Sequence, residues 1–304
     1  GIVRERGGTI SVALRKATGV SKAVDEVLKL CRESGARTVI TNFLPVEGQR
    51  EEYERALEKI EALDDAVPLY FDVAPFEINV RPVYRFLPDW AQTGSMDDMA
   101  AHMDDEWLRP RLLKDFPELD PEKFHVARAR HNETVVGYSL RDIMELYGIK
   151  QPAEALYKLM QTTKLRALIS YRNIDQQAIA RALCHPRSLI ASKGVSFIGH
   201  GSEKARRPDE HAAAFPLFVD TVTKNELMPL GAAIRKITTV PATFFGLGGR
   251  RNIAEGAAAD LVLFSYAERQ MAIKAVIVNG RIAAHNGVLT GVCAGTPIRR
   301  QGKP

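Results

Sequence analysis

The first part of the chain alternates between short β-branched runs and longer segments with helical spacing. Apolar runs at residues 9–15, 37–42 and 67–73 predict three strands. Between them, apolar residues recur every three or four positions over 20–34 and 49–63, which predicts two amphipathic helices. The second strand is apolar on both faces, as in a buried parallel sheet. The alternation therefore predicts right-handed βαβ units in an α/β fold.

The pattern changes over residues 75–164, where Pro and Trp residues accompany helical spacing. The predicted helices there cover 97–104, 107–115, 140–147 and 152–162. So long an excursion between strands usually covers a pocket, although a helical insertion without that role fits equally well. Strands at 166–171 and 187–192, on either side of a helix at 176–183, then resume the earlier pattern.

The C-terminal part combines helices with a hairpin. Two helices are predicted at 211–224 and 229–239. Residues 234–264 read IRKITTVPATFFGLGGRRNIAEGAAADLVLF, which predicts a helix that breaks at Pro241, a second short helical turn, and a strand over 259–264. In the following segment, VIVNGRIA, the pair Asn279-Gly280 fits a type I′ turn between two strands.

Composition narrows the classes of function. The chain has 304 residues, of which 45% are hydrophobic and 26% charged, enough for one large or two unequal domains. The 42 Lys and Arg residues give a net charge of +5, but they are scattered among 37 acidic residues. Neither nucleic acid nor a membrane surface is therefore an expected partner. Cys31, Cys184 and Cys293 are far apart and lack C-x-x-C spacing. We expect free thiols, buried for the first two, and a cytoplasmic location.

The C-terminal motifs carry a family resemblance. The helix with Thr-x-x-Pro-Ala, then Gly-Leu, Arg-x-x-Ile-x-x-Gly, Ala-Asp-Leu-Val and VIVNGRIA together resemble the C-terminal signature of the amidohydrolase superfamily. With the strand–helix unit at 7–35, the chain is similar to the D-aminoacylase (N-acyl-D-amino-acid deacylase) branch. That resemblance implies a partial (β/α)8 TIM-type barrel, strands five to eight, over residues 1–245. It also implies a helical insertion at about 75–164 and part of a small β-domain over 246–304.

The same resemblance implies where the chemistry lies. In that family, histidines ending strands five and six hold zinc, and an aspartate ending strand eight activates water. This chain has Ala13, Asn42 and Lys193 at those positions, and only the arginine of the strand-five motif is kept, as Arg15. A methyl group cannot ligate zinc, an amide is a poor substitute for imidazole, and an ammonium repels a divalent cation. We therefore expect no catalytic residue and no cofactor.

The residues expected around the family pocket are Ala13, Arg15, Asn42, Asp72, Tyr171 and Lys193. Asp72 ends the third strand, where it either pairs with Lys193 or Arg15 or accepts a proton. His200 and His211 follow the last strand of the parallel type, and they are the alternative metal ligands. Surface or structural roles fit these two histidines as well.

Three hypotheses follow. The first is a degenerate, zinc-free relative that binds a small N-acyl amino acid, a related ligand or a partner. The second is an active zinc hydrolase of C–N (amide) bonds in N-acyl amino acids, with ligands from His200, His211 or additional N-terminal sequence. The third is a fragment whose barrel is completed by an N-terminal half or by a partner chain, which is compatible with the first.

Overall fold

The computed structural model describes residues 2–14, 19–192 and 210–298, without the side chains of 210–212. The described residues form two compact units. Unit 2 is the continuous segment Phe76–Ile174, and the other described residues form unit 1.

The helices are α1 (Ile2–Glu5), α2 (Val20–Ser34), α3 (Arg50–Glu61), α4 (Met96–Asp104), α5 (Arg109–Asp115), α6 (Leu140–Tyr147), α7 (Pro152–Thr162), α8 (Gln176–Cys184), α9 (Glu210–Lys224), α10 (Leu230–Ile237) and α11 (Thr239–Phe245). The strands are β1 (Thr9–Ala13), β2 (Arg37–Thr41), β3 (Leu69–Val73), β4 (Ile78–Pro82), β5 (Phe124–Ala129), β6 (Ala167–Arg172), β7 (Ser188–Ile190), β8 (Leu261–Ala267), β9 (Gln270–Val278), β10 (Arg281–His285) and β11 (Val288–Leu289).

Unit 1 contains a parallel sheet whose strands follow chain order, β1-β2-β3-β7. Helices α2 and α3 contact each other, and α8 contacts both α3 and β7. Helix α2 buries Val24, Val27 and Cys31 on one face, and it ends at Gly35, whose φ of 59° only glycine adopts without cost. The predicted mixed α/β fold is confirmed. Cys31 is buried as expected, whereas Cys184 is only half-buried.

Unit 2 is a helical segment built on a three-stranded antiparallel sheet, in the order β4-β6-β5. Its core contains Phe124, Ile143, Leu156 and Ile169, all fully buried. The sequence predicts the helices of this segment but not strands β4 and β5. The predicted strand at 166–171 is β6, and its partners are these antiparallel neighbours.

The C-terminal strands form a second sheet in unit 1, an antiparallel meander in the order β8-β9-β10-β11. Asn279 and Gly280 have φ values of 46° and 75°, which confirms the predicted type I′ turn. The predicted helix break at Pro241 is wrong, because the break lies at Thr238, between α10 and α11. Pro241 falls in the first turn of α11, where its missing N–H removes no helical hydrogen bond.

Candidate functional site

Three of the predicted pocket residues lie at the carboxyl edge of the parallel sheet. Ala13 is the last residue of β1 and pairs with Thr41, the last residue of β2. Asn42 follows Thr41 directly. On the neighbouring strand β3, Phe71 pairs with Ile40 of β2. Asp72 is the next residue, so it lies opposite Thr41. Ala13, Asn42 and Asp72 therefore lie at or within one residue of the ends of three adjacent strands, on one edge.

A hydrogen bond joins Asn42 to Asp72. The backbone N–H of Asn42 donates to Oδ1 of Asp72 at 2.8 Å, and the N–H of Phe43 donates to the carbonyl oxygen of Asp72 at 3.2 Å. Asn42 has a φ of 57°, a left-handed conformation that Asn adopts more readily than most residues. This conformation points the backbone N–H of Asn42 at the Asp72 carboxylate, so the hydrogen bond to Asp72 holds the end of β2 in place.

The sheet face that carries Asp72 changes character along the strands. Residues two apart on a strand share a face, so Asp72 shares one with Tyr70, and the register adds Val39 and Leu189. Val39 and Leu189 form an apolar cluster with Phe244, and Tyr70 packs against it. The face is thus apolar over its middle and polar at the carboxyl edge.

The segment after β2 is held by buried contacts. Phe43 stacks on Tyr53 with ring centroids 4.5 Å apart, and the N–H of Asp175 donates to the carbonyl of Pro45 at 3.0 Å. Nε of Arg50 lies 2.7 Å from Oδ2 of Asp175, and Nη2 donates to Oδ1 at 2.9 Å. Burial acts to raise the pKa of Asp175, but the hydrogen bonds from Arg50 and from two helix amides outweigh it, and the pKa is lowered.

The other predicted residues lie in unit 2, in α9 or outside the described residues. Tyr171 lies on β6 in unit 2, half-buried. Arg15, Lys193 and His200 lie outside the described residues, and His211 lies in α9 with its side chain outside the description. Sequence reasoning missed Thr41, which shares the face of Ala13 and Asp72 and whose hydroxyl donates to the carbonyl of Val12 at 3.2 Å. Its position two residues after the buried Val39 is the signal that identifies it.

The residues at this edge do not fit a zinc ion. Catalytic zinc takes three protein ligands, which are drawn from histidine imidazoles, carboxylates and cysteine thiolates. Ala13 offers a methyl group, Asn42 an amide, and the Asp72 carboxylate already accepts a backbone N–H. In residues 2–14, 19–192 and 210–298, no cluster of three or more His, Cys, Asp or Glu side chains is arranged to hold a metal ion.

Comparison with known families identifies proteins that this chain resembles. Residues 172–284 match the model of the amidohydrolase family. The resemblance to amidohydrolases of the D-aminoacylase branch is confirmed.

Two relatives come from Alcaligenes xylosoxydans xylosoxydans. A D-aminoacylase is 29% identical over 209 residues, which cover 64% of this chain and 36% of the relative. An N-acyl-D-glutamate deacylase is 25% identical over 251 residues, covering 81% of this chain and 42% of the relative. The chain thus spans less than half the length of these curated relatives.

Two solved structures share the fold. A crystal structure of D-aminoacylase matches with a TM-score of 0.69 and 21% identity, covering 96% of this chain and 56% of the other. The N-acyl-D-glutamate deacylase from Bordetella bronchiseptica, complexed with zinc and a phosphonate inhibitor, matches with a TM-score of 0.64 and 21% identity, covering 93% and 54%. Another D-aminoacylase structure is described with a binuclear metal centre. Across the described part of this chain, no helix has the length and apolar character needed to cross a membrane.

Proposed function

We propose that this chain is a D-aminoacylase-like amidohydrolase homologue that does not carry out zinc-dependent hydrolysis. It binds an N-acyl amino acid or related ligand, or a partner chain, at the carboxyl edge of its parallel sheet. In this proposal β1, β2, β3 and β7 are strands five to eight of a (β/α)8 barrel. The domain boundaries are those expected from the sequence, with the barrel over 1–245 and the β-domain segment over 246–304.

One observation carries the proposal. Ala13 ends β1 in register with Thr41, the last residue of β2, and Asn42 follows Thr41 directly. The family resemblance assigns Ala13 and Asn42 to the positions of zinc-binding histidines. The loss of one coordinating side chain lowers the affinity of a site for zinc. The loss of two imidazoles leaves too few ligands for catalytic zinc. Lys193 stands at the position of the family aspartate in the sequence, so the general base is replaced as well.

The unpaired edge of β1 supports the proposal that additional strands complete the parallel sheet. In the described residues β1 pairs with β2 alone, and Ser11 and Ala13 of β1 are exposed. Unpaired edge strands are templates for pairing with another segment. We propose that further strands, from the same polypeptide or from a partner chain, extend the sheet at β1.

A second candidate is an active zinc hydrolase of amide bonds in N-acyl amino acids. The relatives that are named as D-aminoacylase and N-acyl-D-glutamate deacylase favour it, as do the metal-containing structures of that branch. It requires ligands from His200, His211 or additional N-terminal sequence.

A hydrolysis assay separates the two candidates. The purified chain is incubated with a panel of N-acetyl-D-amino acids, with added zinc and with a chelator, and release of the free amino acid is measured. The proposal predicts no release under either condition. Release that depends on zinc and is abolished by the chelator supports the second candidate and contradicts the first.

A restoration experiment sharpens the test. The triple variant Ala13→His, Asn42→His, Lys193→Asp returns the family donors and should bind zinc. The matched control carries Ser11→His in place of Ala13→His, which puts an imidazole on the same face of β1 but two residues from the edge. Equal zinc binding by the two variants would show that Ala13 is not a ligand position.

A further inference from the structure

A cavity in unit 2 has no role in the proposed function. Its volume is about 620 Å³, within the size range of small-molecule sites, and it lies between α4, the end of α7 and the start of β6. All of its lining residues belong to unit 2, and none of the predicted pocket residues is among them.

The floor of the cavity is apolar and well anchored. Met96, Ala100 and Met103 recur along one face of α4, and Met160 of α7 adds a third thioether. Met103 and Met160 are almost fully buried. The hydroxyl of Tyr157 donates to the carbonyl of Met103, which ties α4 to α7. Methionine floors adapt to apolar groups of varied shape.

The rim carries basic and acidic side chains, and two of its charges lack an ion pair within the described residues. Lys164, Arg166 and His131 line it together with Asp97 and Asp104. Arg166 reaches Asp97 only at 3.8 Å, and the Asp97 side chain is 95% exposed, so this pair is weak. Lys164 and Asp104 form no ion pair with any residue that the structure describes.

The backbone presents these cations through an uncommon conformation. Lys164 and Leu165 have φ values of 49° and 57°, two consecutive left-handed residues of which neither is glycine. One left-handed residue is an ordinary way to end a helix such as α7. Ending the helix does not require a second left-handed residue. The result buries Leu165 in the core and turns Lys164 and Arg166 to the cavity rim.

We propose that this cavity binds a small zwitterion with an apolar side chain, of the class of a free hydrophobic amino acid. The ligand carboxylate meets Lys164 and Arg166, its ammonium meets Asp104, and its side chain lies on the methionine floor. A ligand with only one of the two charges leaves the opposite rim charge unmatched, and that difference is the source of selectivity.

Calorimetric titration of the full chain at low salt tests the proposal with three compounds. Leucine carries both charges, N-acetyl-leucine only the carboxylate, and leucinamide only the ammonium. We expect leucine to bind and each analogue to bind about tenfold more weakly, because each lacks one charge-assisted contact. Equal binding of all three, tighter binding of an analogue, or no binding of leucine overturns the proposal.

Variants locate the binding in this cavity. Lys164→Gln and Asp104→Asn should each weaken leucine binding about tenfold, which is the loss of one charged contact. Lys150→Gln and Glu118→Gln remove exposed charges of the same sign elsewhere in unit 2 and should leave binding unchanged. Lys164→Arg keeps the charge and should retain binding, which guards against a loss caused by misfolding. Unchanged leucine affinity in Lys164→Gln and Asp104→Asn refutes the assignment.

Discussion

Arg187 offers the sharpest test of how the parallel sheet is held together. Its side chain is buried, and its guanidinium donates to four backbone carbonyls. Nη1 donates to Val67 at 2.7 Å and Leu69 at 3.3 Å, and Nη2 donates to Leu63 at 3.1 Å and Asp64 at 2.8 Å. The residue precedes β7 and clamps the segment that enters β3. It therefore fixes the pairing of the two strands that flank unit 2 in the sequence.

The change Arg187→Met keeps an unbranched apolar chain in place of the aliphatic part of arginine and removes every donor. Each of the four hydrogen bonds contributes about 1 kcal/mol net, and the carbonyls left in a buried setting add to the loss, so we expect destabilisation of at least roughly 4 kcal/mol. Arg181→Met is the matched control. Arg181 pairs with Glu61 at 3.2 Å, and the two side chains are 40% and 57% exposed, so its loss should cost less than about 1 kcal/mol.

Urea unfolding followed by intrinsic fluorescence, together with hydrogen exchange of the β3 and β7 amides, measures the difference. Hydrogen exchange assigns the loss to unit 1, since the chain has two compact units that need not unfold together. If Arg187→Met and Arg181→Met lower the midpoint equally, the guanidinium is not the clamp that its contacts indicate.

Changes at three further residues test other parts of the fold. Asp175→Ala removes the cap that accepts the amides of Gln177 and Ala178, and thermal unfolding should show a loss of about 1–2 kcal/mol. The pKa of Asp175 is lowered in the folded state, so its stabilising contribution is present above the unfolded-state pKa and is lost as pH falls through the folded-state pKa. The difference in free energy of unfolding between wild type and Asp175→Asn should therefore shrink in acid. Burial lowers the pKa of Lys236 to about 8, so unfolding measured against pH should show stability rising from about pH 8 towards 10.5, and Lys236→Met should remove that rise. Ser139→Ala breaks the capping box of α6 and should cost about 1 kcal/mol, whereas a change below the error of the melting curve would contradict the role of the cap.

The helices of unit 2 could be predicted because their signals are local. Helix α6 begins after Ser139, which forms a capping box with Asp142, and it ends at Gly148 with a left-handed φ of 65°. Helix α7 begins with Pro152, whose fixed φ suits a first helical position. The observed bounds of both helices are those predicted from the sequence.

The strands of unit 2 could not be predicted because their partners are distant in sequence. Strand β4 ends at Pro82 and pairs with β6, some ninety residues later, and it buries Asn79 while Val80 is exposed, so its burial runs against its apolar pattern. Strand β5 covers only Phe124–Ala129, and its alternation of buried and less buried residues breaks at the register shift between Val126 and Arg128.

The family resemblance, rather than strand periodicity, singled out Ala13 and Asn42, and both lie at the carboxyl edge, where the ends of neighbouring parallel strands meet. The sequence left the role of Asp72 open between an ion pair and proton transfer. The contact from the Asn42 amide depends on the left-handed φ of that residue, which strand periodicity does not specify.

Zinc stoichiometry measures the central claim most directly. The purified chain is dialysed against a zinc buffer and then against metal-free buffer, and the retained metal is counted by mass spectrometry. With a methyl group and an amide at the ends of β1 and β2, we predict far less than one retained zinc ion per chain, and the same result for Asn42→Ala. One tightly held zinc ion per chain, lost on substitution of Asn42 or Asp72, would contradict the account.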